Sequence, residues 1–548
     1  MKRTLVLVAL ALSALPLRAE EPVDLSMMTR IRDEGLHHSQ VMDTLFHLTD
    51  VIGPRLTGSP QLKAANDWTR DQFMRWGLVN AHLEGYPFGR GWSFSTCQVR
   101  MVSPRTSVLL ALPKAWTPGT NGPLRGPVVR IKAETPQDLD AYRGKVAGKI
   151  LLLDDAREFK PPADAKTPPD PGSFTADQPE RYSDADLERI AGFEIRGERD
   201  PGRRASALQR FRMRAAIQEF VAKEKVLATV EASPRNEGIL GVSGGGGWQP
   251  GKAASVPGLV MAAEHYNEIL RLLDHDQPVE LEIEVAARFH EEDSQAYNTV
   301  AEIAGTDKRD EVVMAGAHLD SWHTGTGATD NAAGCAVVME AARILKALGV
   351  KPRRTIRLAL WSGEEEGLFG SIAYVRQHFA SRPENPANPD IPAYFQEETW
   401  PLQIKPEHAR LSAYFNLDNG GGRIRGIYTQ ENAAIKPIFA AWLAPFADLG
   451  ADTVTLRDTG STDHVAFDGV GLPGFQFIQD QMDYFSHTHH TDLDTYDHVQ
   501  PKDMMQASVL MAAFLYDAAM RPELLPRKPL PQAPPKKETR EVRKETTP

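Results

Sequence analysis

From residue 311 to residue 490 short apolar runs alternate with amphipathic stretches, and the hydrophobic period changes from one to the next. Glu311-Val312-Val313-Met314-Ala315-Gly316-Ala317, Ser412-Ala413-Tyr414-Phe415-Asn416-Leu417 and Phe475-Gln476-Phe477-Ile478 have the length and side chains of buried strands. Thr355 to Trp361 alternates, with Ile356, Leu358 and Leu360 on one side. Between the first two strands in chain order, Val337, Ala341, Ile344 and Leu348 share a helical face that Gly349 closes. Strands alternating with helices predict an α/β fold with a mostly parallel sheet. Such sheets place ligands beyond the carboxyl ends of their strands.

The residues just past these strands are chemically uniform. His318 comes after the first, and Asp330 sits in a turn that opens the helix. Ser362-Gly363-Glu364-Glu365-Glu366-Gly367 comes after the second, Asp418 after the third, and a polar loop with His487, His489 and His490 after the last. Imidazole and carboxylate ligands suit zinc, and a catalytic zinc keeps a position open. Two metals about 3.5–4 Å apart need one short carboxylate touching both and two further ligands each. His318, Asp330, Glu365, Asp418 and His490 meet that need when one of them bridges. A further carboxylate that ligates neither metal can serve as base, and adjacent Glu364 and Glu365 offer one side chain for each role. His323, His464, His487, His489 and Asp463 are open between lining the pocket and ordinary packing.

Upstream, Val41, Leu45 and Leu48 share a helical face. Ser59 caps a second helix with Pro60 at its first position, and Gly77 ends it. Strands are expected around Ala81–Tyr86 and Cys97–Val102, yet the next strand of the main series does not begin until about residue 297. A large insert, roughly 106–290, therefore interrupts the sheet. It has its own signals in Val146 to Leu153, in Leu259-Val260-Met261 with a helix to Leu273, and in Val279–Val285, while the Pro- and Asp-rich stretch Pro161–Pro179 reads as an exposed loop. Gly246 to Lys252 nearly spells a phosphate-binding loop, but Ala253 stands where a hydroxyl is required, so it is read as a flexible loop.

The motifs His318-Leu319-Asp320-Ser321-Trp322, Thr329-Asp330-Asn331-Ala332-Ala333-Gly334, Trp361 to Ser371, Asn416-Leu417-Asp418 and His489-His490-Thr491 resemble those of the co-catalytic zinc aminopeptidase family, which also holds glutamate carboxypeptidases. The likeness is strongest to its carboxypeptidase Q branch. It runs from Asp50-Val51-Ile52-Gly53-Pro54-Arg55-Leu56-Thr57-Gly58-Ser59 through Asn298 to Ile303 to His490, and covers most of residues 30–520. The resemblance implies a zinc-exopeptidase fold, a mostly parallel mixed sheet flanked by helices, with an inserted protease-associated domain. Two Zn2+ per chain are implied, although other divalent metals fit similar ligands. Asp330 would bridge, His318 and Asp418 would complete one metal, and Glu365 and His490 the other. Glu364 would be the general base, taking a proton from a metal-bridging water and returning it to the leaving amine. Asp320 would fix the His318 ring, and the Asp330-Asn331 peptide would be cis.

The expected domains are a signal peptide at 1–19, an N-terminal part of the peptidase at 24–105, a protease-associated-like insert at 106–290, a catalytic part at 291–521 and a disordered tail at 522–548. Lys2, Arg3 and the apolar run Leu5 to Leu17 before Ala19 make the signal, which is too short for a stable span and predicts a secreted or periplasmic protein without a stable membrane anchor. The tail is Pro-, Lys- and Glu-rich. Net charge is −11, and −14 once Lys2, Arg3 and Arg18 leave with the signal. With no basic stripe, nucleic acid is excluded as a partner. Cys97 and Cys335 are the only cysteines, so no disulfide framework supports the fold, and their pairing is left open. The expected partner is a peptide substrate; a homodimer stays open. The leading activity is an exopeptidase on dipeptides or short peptides with a free amino terminus. The alternatives are a carboxypeptidase on the same site and a non-catalytic binding module of the transferrin-receptor kind.

Overall fold

The computed structural model describes residues 21–159, 180–192, 201–249, 251–252, 254–385 and 391–534. The expected signal peptide, the Pro-rich loop of the insert and the last part of the tail lie outside these residues. Two eight-stranded sheets organise the chain. The first runs in the order Val79–Pro87, Gln295–Ile303, Arg354–Trp361, Lys308–His318, Leu411–Asn416, Gly474–Gln479, Ile424–Tyr428, Thr453–Thr455. Its four central strands, Arg354–Trp361 to Gly474–Gln479 in that order, are mutually parallel, as the alternation of strands and helices predicted. Their carboxyl ends therefore emerge together at one edge.

The sequence pattern explains the layers. Central parallel strands are covered on both faces and read as continuous apolar runs. Helices Ala333–Ala347 and Pro501–Met520 lie almost wholly buried and pack with Phe415, Phe475 and Phe477 in the larger core. The opposite face is closed by Trp361, Tyr374, Phe379, Tyr414 and Phe467. Helix Pro60–Arg75 starts as expected, with the Ser59 hydroxyl accepting the Leu62 N–H.

The second sheet has the order Ser107–Leu109, Gly91–Ser103, Glu280–His290, Leu124–Arg130, Ile150–Leu152, Ala228–Ala232, Gly258–Met261, Ala111–Pro113. Its first part corrects a boundary. The strand Gly91–Ser103, assigned from sequence to the peptidase part, pairs along its length with Glu280–His290 and belongs to the second sheet. Val79–Pro87 pairs with Gln295–Ile303 in the first sheet, so the chain crosses between sheets at Phe88 to Arg90 on the way out and near 291–294 on the way back. The crossing is sharp because Gly89 has φ 145° and the Trp248 carbonyl lies 2.4 Å from where a Cβ would stand. Only glycine fits there.

Two further expectations change. The glycine-rich stretch before Lys252 is packed, not free: Gly245 N–H donates to Ala115 O, and Trp248 stacks on Phe88 with ring centroids 5.6 Å apart. Residues 522–534 of the expected disordered tail strap across the first domain. Leu525 is buried there, Arg527 donates to the His408 and Leu411 carbonyls, and Lys528 pairs with Asp468 at 2.6 Å. Low apolar content misled because one leucine and two cations suffice to dock a short extended segment. Among the described residues no helix is long and apolar enough to cross a membrane. Cys97 and Cys335 are both free.

Candidate metal centre

All five expected ligands meet at the carboxyl edge of the first sheet. His318 ends its strand, and its Nε2 lies 3.1 Å from Asp330 Oδ1 and 3.6 Å from Asp418 Oδ1. On the other side His490 Nε2 lies 3.4 Å from Asp330 Oδ2 and 2.9 Å from Glu365 Oε2. The two oxygens of one carboxylate thus face two different histidines, one beside Asp418 and the other beside Glu365.

Each ligand is aimed by its local backbone. Asp330 comes shortly after Gly327, whose φ is 63° and where a Cβ would stand 2.3 Å from Ser321 Cβ. The Asp330-Asn331 peptide is cis. Asp494 accepts the Thr329 and Asp330 amides at 2.6 and 3.1 Å and the Thr329 hydroxyl at 2.8 Å. Asn331 ties the next turn by donating to Leu417 O and accepting Gly334 N–H. Arg55, wholly buried, donates to the carbonyls of Leu48, Gly53, Leu319, Thr326 and Gly327, and so joins the loops after His318 and before Asp330.

Asp320 stands beside the His318 ring and has a second part that the sequence did not suggest. The His318 Nδ1 sits 3.0 Å from the Asp320 backbone carbonyl, while the Asp320 carboxylate is 3.7 Å away. That carboxylate also accepts the amides of Glu364 and Glu365 at 3.3 and 3.2 Å and the Thr57 hydroxyl at 3.2 Å. It holds the loop that carries both glutamates.

The electrostatics call for cations. Burial, reinforced by Asp418, Asp463 and Glu365, pushes Glu364 well above the ordinary carboxylate range, against the pull of His318. Burial and Asp330 do the same to Glu365. His318 is raised although burial opposes it, because Asp418 and Glu364 surround it. His318 Nε2, Asp330 Oδ2, Glu365 Oε1 and Asp418 Oδ1 are buried without a properly aligned hydrogen bond. Buried polar atoms are rarely left so. Converging lone pairs of nitrogen and oxygen, orphaned together, fit divalent metal ions, and the donors His318, Asp330 and Glu365 lie close enough to share one.

The open histidines separate. His489 stacks on His490 at 3.7 Å between centroids and places Nε2 4.0 Å from Asp330 Oδ2, beside the centre. His323 is a packing residue: its Nε2 meets Pro113 O at 2.8 Å, its ring packs edge-on to Trp92 and Phe94, and burial pushes it down to about 4. His464 is likewise buried, its Nε2 near Thr459 O, and pushed down to about 4. His487 meets Ser486 Oγ. Asp463 is buried with both oxygens unpartnered, and burial pushes it up to about 7. Trp322, edge-on to His490 at 6.1 Å, continues into an aromatic wall of Trp116, Trp248, Phe88 and Phe369. Sequence reasoning passed over Asp494 and Arg55. Arg55 stood in the Gly53-Pro54-Arg55 motif, but nothing local shows that a buried cation binds carbonyls 264 to 272 positions away.

A parallel sheet with a two-sided carboxylate centre at its strand ends defines a metallopeptidase. Residues 298–515 match the model of peptidase family M28, and over that stretch the chain is similar to that family. Bovine (Bos taurus) carboxypeptidase Q is 25% identical over 515 residues, covering 91% of this chain and 92% of that protein. The crystal structure of a peptidase M28 precursor from Shewanella amazonensis superposes with TM-score 0.64 at 25% identity, covering 93% of this chain and 99% of that one. BSAP, a zinc aminopeptidase from Bacillus subtilis, shares the fold with TM-score 0.54 at 16% identity over 92% of this chain and 97% of its own.

Proposed function

We propose that the protein is an exported two-zinc exopeptidase acting on dipeptides and short peptides with a free amino terminus. The observation that carries the reading is Asp330, with Oδ1 toward His318 and Oδ2 toward His490, while Asp418 lies beside His318 and Glu365 beside His490. In this reading Asp330 would be shared between two metals, with His318 and Asp418 holding one and Glu365 and His490 the other. Bound there, zinc would act as a Lewis acid on the scissile carbonyl and ease deprotonation of the attacking water. Glu364, raised by burial and by its acidic neighbours, takes that proton and returns it to the leaving amine. Asp320 fixes Glu364 through its backbone amide, so the base stays beside the ligands. Trp322 and the aromatic wall give apolar surface for a substrate side chain.

The insert, read as a protease-associated domain, roofs the site and limits substrate length. Support comes from Trp248, which carries the insert's loop against Phe369, just past the catalytic glutamates. The name of the bovine relative points to cleavage at chain ends, and the Lys-Arg start with its apolar run supports export.

The test pairs metal content with a dipeptide panel, each substrate also N-acetylated, for wild type and Glu364→Gln. Two metals per chain, hydrolysis of free-amino substrates alone and an inactive variant that keeps its metal are expected. Cleavage of acetylated substrates would replace this reading with a carboxypeptidase. Metal without hydrolysis would replace it with a binding module.

A further inference from the structure

Asp494 ties the far end of the loop that carries His490 to the Asp330 turn, but the residues at His490 itself are held from the insert. Val242 N–H donates to the His490 carbonyl at 3.0 Å, and Gly241 pairs antiparallel with Thr491. The Asp492 carboxylate accepts Leu240 N–H at 2.8 Å, while Asp492 N–H returns to Leu240 O at 3.2 Å. Leu240 and Val242 are buried with Val260, Ala262 and Leu112 in a core cluster of the insert, so this short ladder is anchored in the second sheet. Ser233 stiffens it by accepting Gly241 N–H and donating to Ile239 O.

His490 needs such a hold. Its φ is +58°, a left-handed conformation that a residue with a side chain adopts reluctantly. His318 and Asp418, by contrast, stand at the ends of adjacent strands of the first sheet and need nothing from the insert. We infer that the Leu240–Gly241–Val242 ladder is a working part of the metal centre, with Asp492 as a positioning residue for His490, so that the insert sets the affinity of one metal and not of its neighbour. The inference rests on the two-metal reading above. It gives the insert a chemical role beside that of a roof: a displacement of the second sheet would loosen the Glu365–His490 site first.

The experiment measures zinc binding by the full chain in competition with a chromophoric chelator, for wild type, Asp492→Ala and Asp492→Asn, with denaturant unfolding of each zinc-free protein alongside. Outer partners of metal ligands typically set affinity by 10–100-fold. Asp492→Ala is expected to keep one zinc at wild-type affinity and bind the second at least ~10-fold more weakly. Asp492→Asn keeps an acceptor for Leu240 N–H and should restore both. Should Asp492→Ala not fold, Ser233→Ala loosens the same ladder and should weaken the same single zinc. Wild-type affinity at both sites in Asp492→Ala overturns the inference. So does equal weakening of both sites with an earlier unfolding midpoint, which marks a merely structural role. A wild-type chain that takes up a single zinc overturns the two-metal reading itself, and is recognised before any variant is compared.

Discussion

The Asp494 carboxylate accepts the backbone N–H of Asp330 at 3.1 Å and that of the preceding residue at 2.6 Å, so one carboxylate grips the main chain of another. Both are buried, and burial together with Asp330 pushes Asp494 up to about 7. The grip holds the Asp330 main chain and leaves its two carboxylate oxygens facing His318 and His490.

Replacing Asp494 should therefore damage metal binding more than its distance from the ligand atoms suggests. Asp494→Ala leaves two buried amides unpaired, at roughly 1–3 kcal/mol each. Zinc affinity should fall about 10–100-fold, while Asp494→Asn, which keeps an acceptor, should fall less. Equal metal affinity in Asp494→Ala and wild type, measured by chelator competition, would show that the cis Asp330-Asn331 turn holds its shape alone.

Arg55 bonds carbonyls rather than acids, so its role is geometric. Arg55→Met should destabilise the protein by at least about 3 kcal/mol, because hydrogen bonds to a charged group are lost at several buried acceptors. Arg55→Lys cannot reproduce the fork and should recover only part of it. Urea unfolding of the zinc-free protein decides. A change under about 0.5 kcal/mol in Arg55→Met, the scale of an ordinary surface substitution, would mean that water can take over those carbonyls.

The buried neutral histidines give a pH dependence of known sign. His323 and His464 are held near 4 against 6.5 when unfolded. The unfolded chain thus binds more protons between those values, and stability present above pH 6.5 is lost as pH falls toward 4. Each contributes about 3 kcal/mol over the full range. His323→Gln keeps a donor toward Pro113 O and should flatten the decline between pH 6.5 and 4.5 in zinc-free protein. An unchanged slope would show that His323 takes up its proton in the folded state.

Within the C-terminal tail, the strap at 522–534 is the part that should matter for stability. Ending the chain at Glu523 removes Leu525 and Arg527, and should lower the unfolding midpoint by several degrees, the usual yield of one or two kcal/mol in a large domain. Ending it at Pro534 should change nothing. Coincident melting curves for the two truncations would count against the strap.

The sequence by itself determined the α/β class, the central parallel strands and the residues His318, Asp330, Glu365, Asp418 and His490. These were legible because a parallel sheet imposes a hydrophobic period and delivers the residues past each strand to one edge, so order along the chain becomes proximity in space. Helix starts such as Ser59-Pro60 were legible for a similar reason, since a cap acts within three residues. The tertiary structure alone decided the rest. Gly91–Ser103 reads as an ordinary strand, and only pairing with a partner nearly two hundred residues away assigns it to the second sheet. Asp320 reads as a partner for the nearby His318, and only the folded chain shows that its carboxylate also takes the amides of Glu364 and Glu365. Asp494, Arg55 and the Leu240–Val242 ladder act on backbone groups, and backbone groups are the same at every position. A sequence records which side chains are present; which amides and carbonyls are left unpaired, and what reaches them, exists only once the chain has closed on itself.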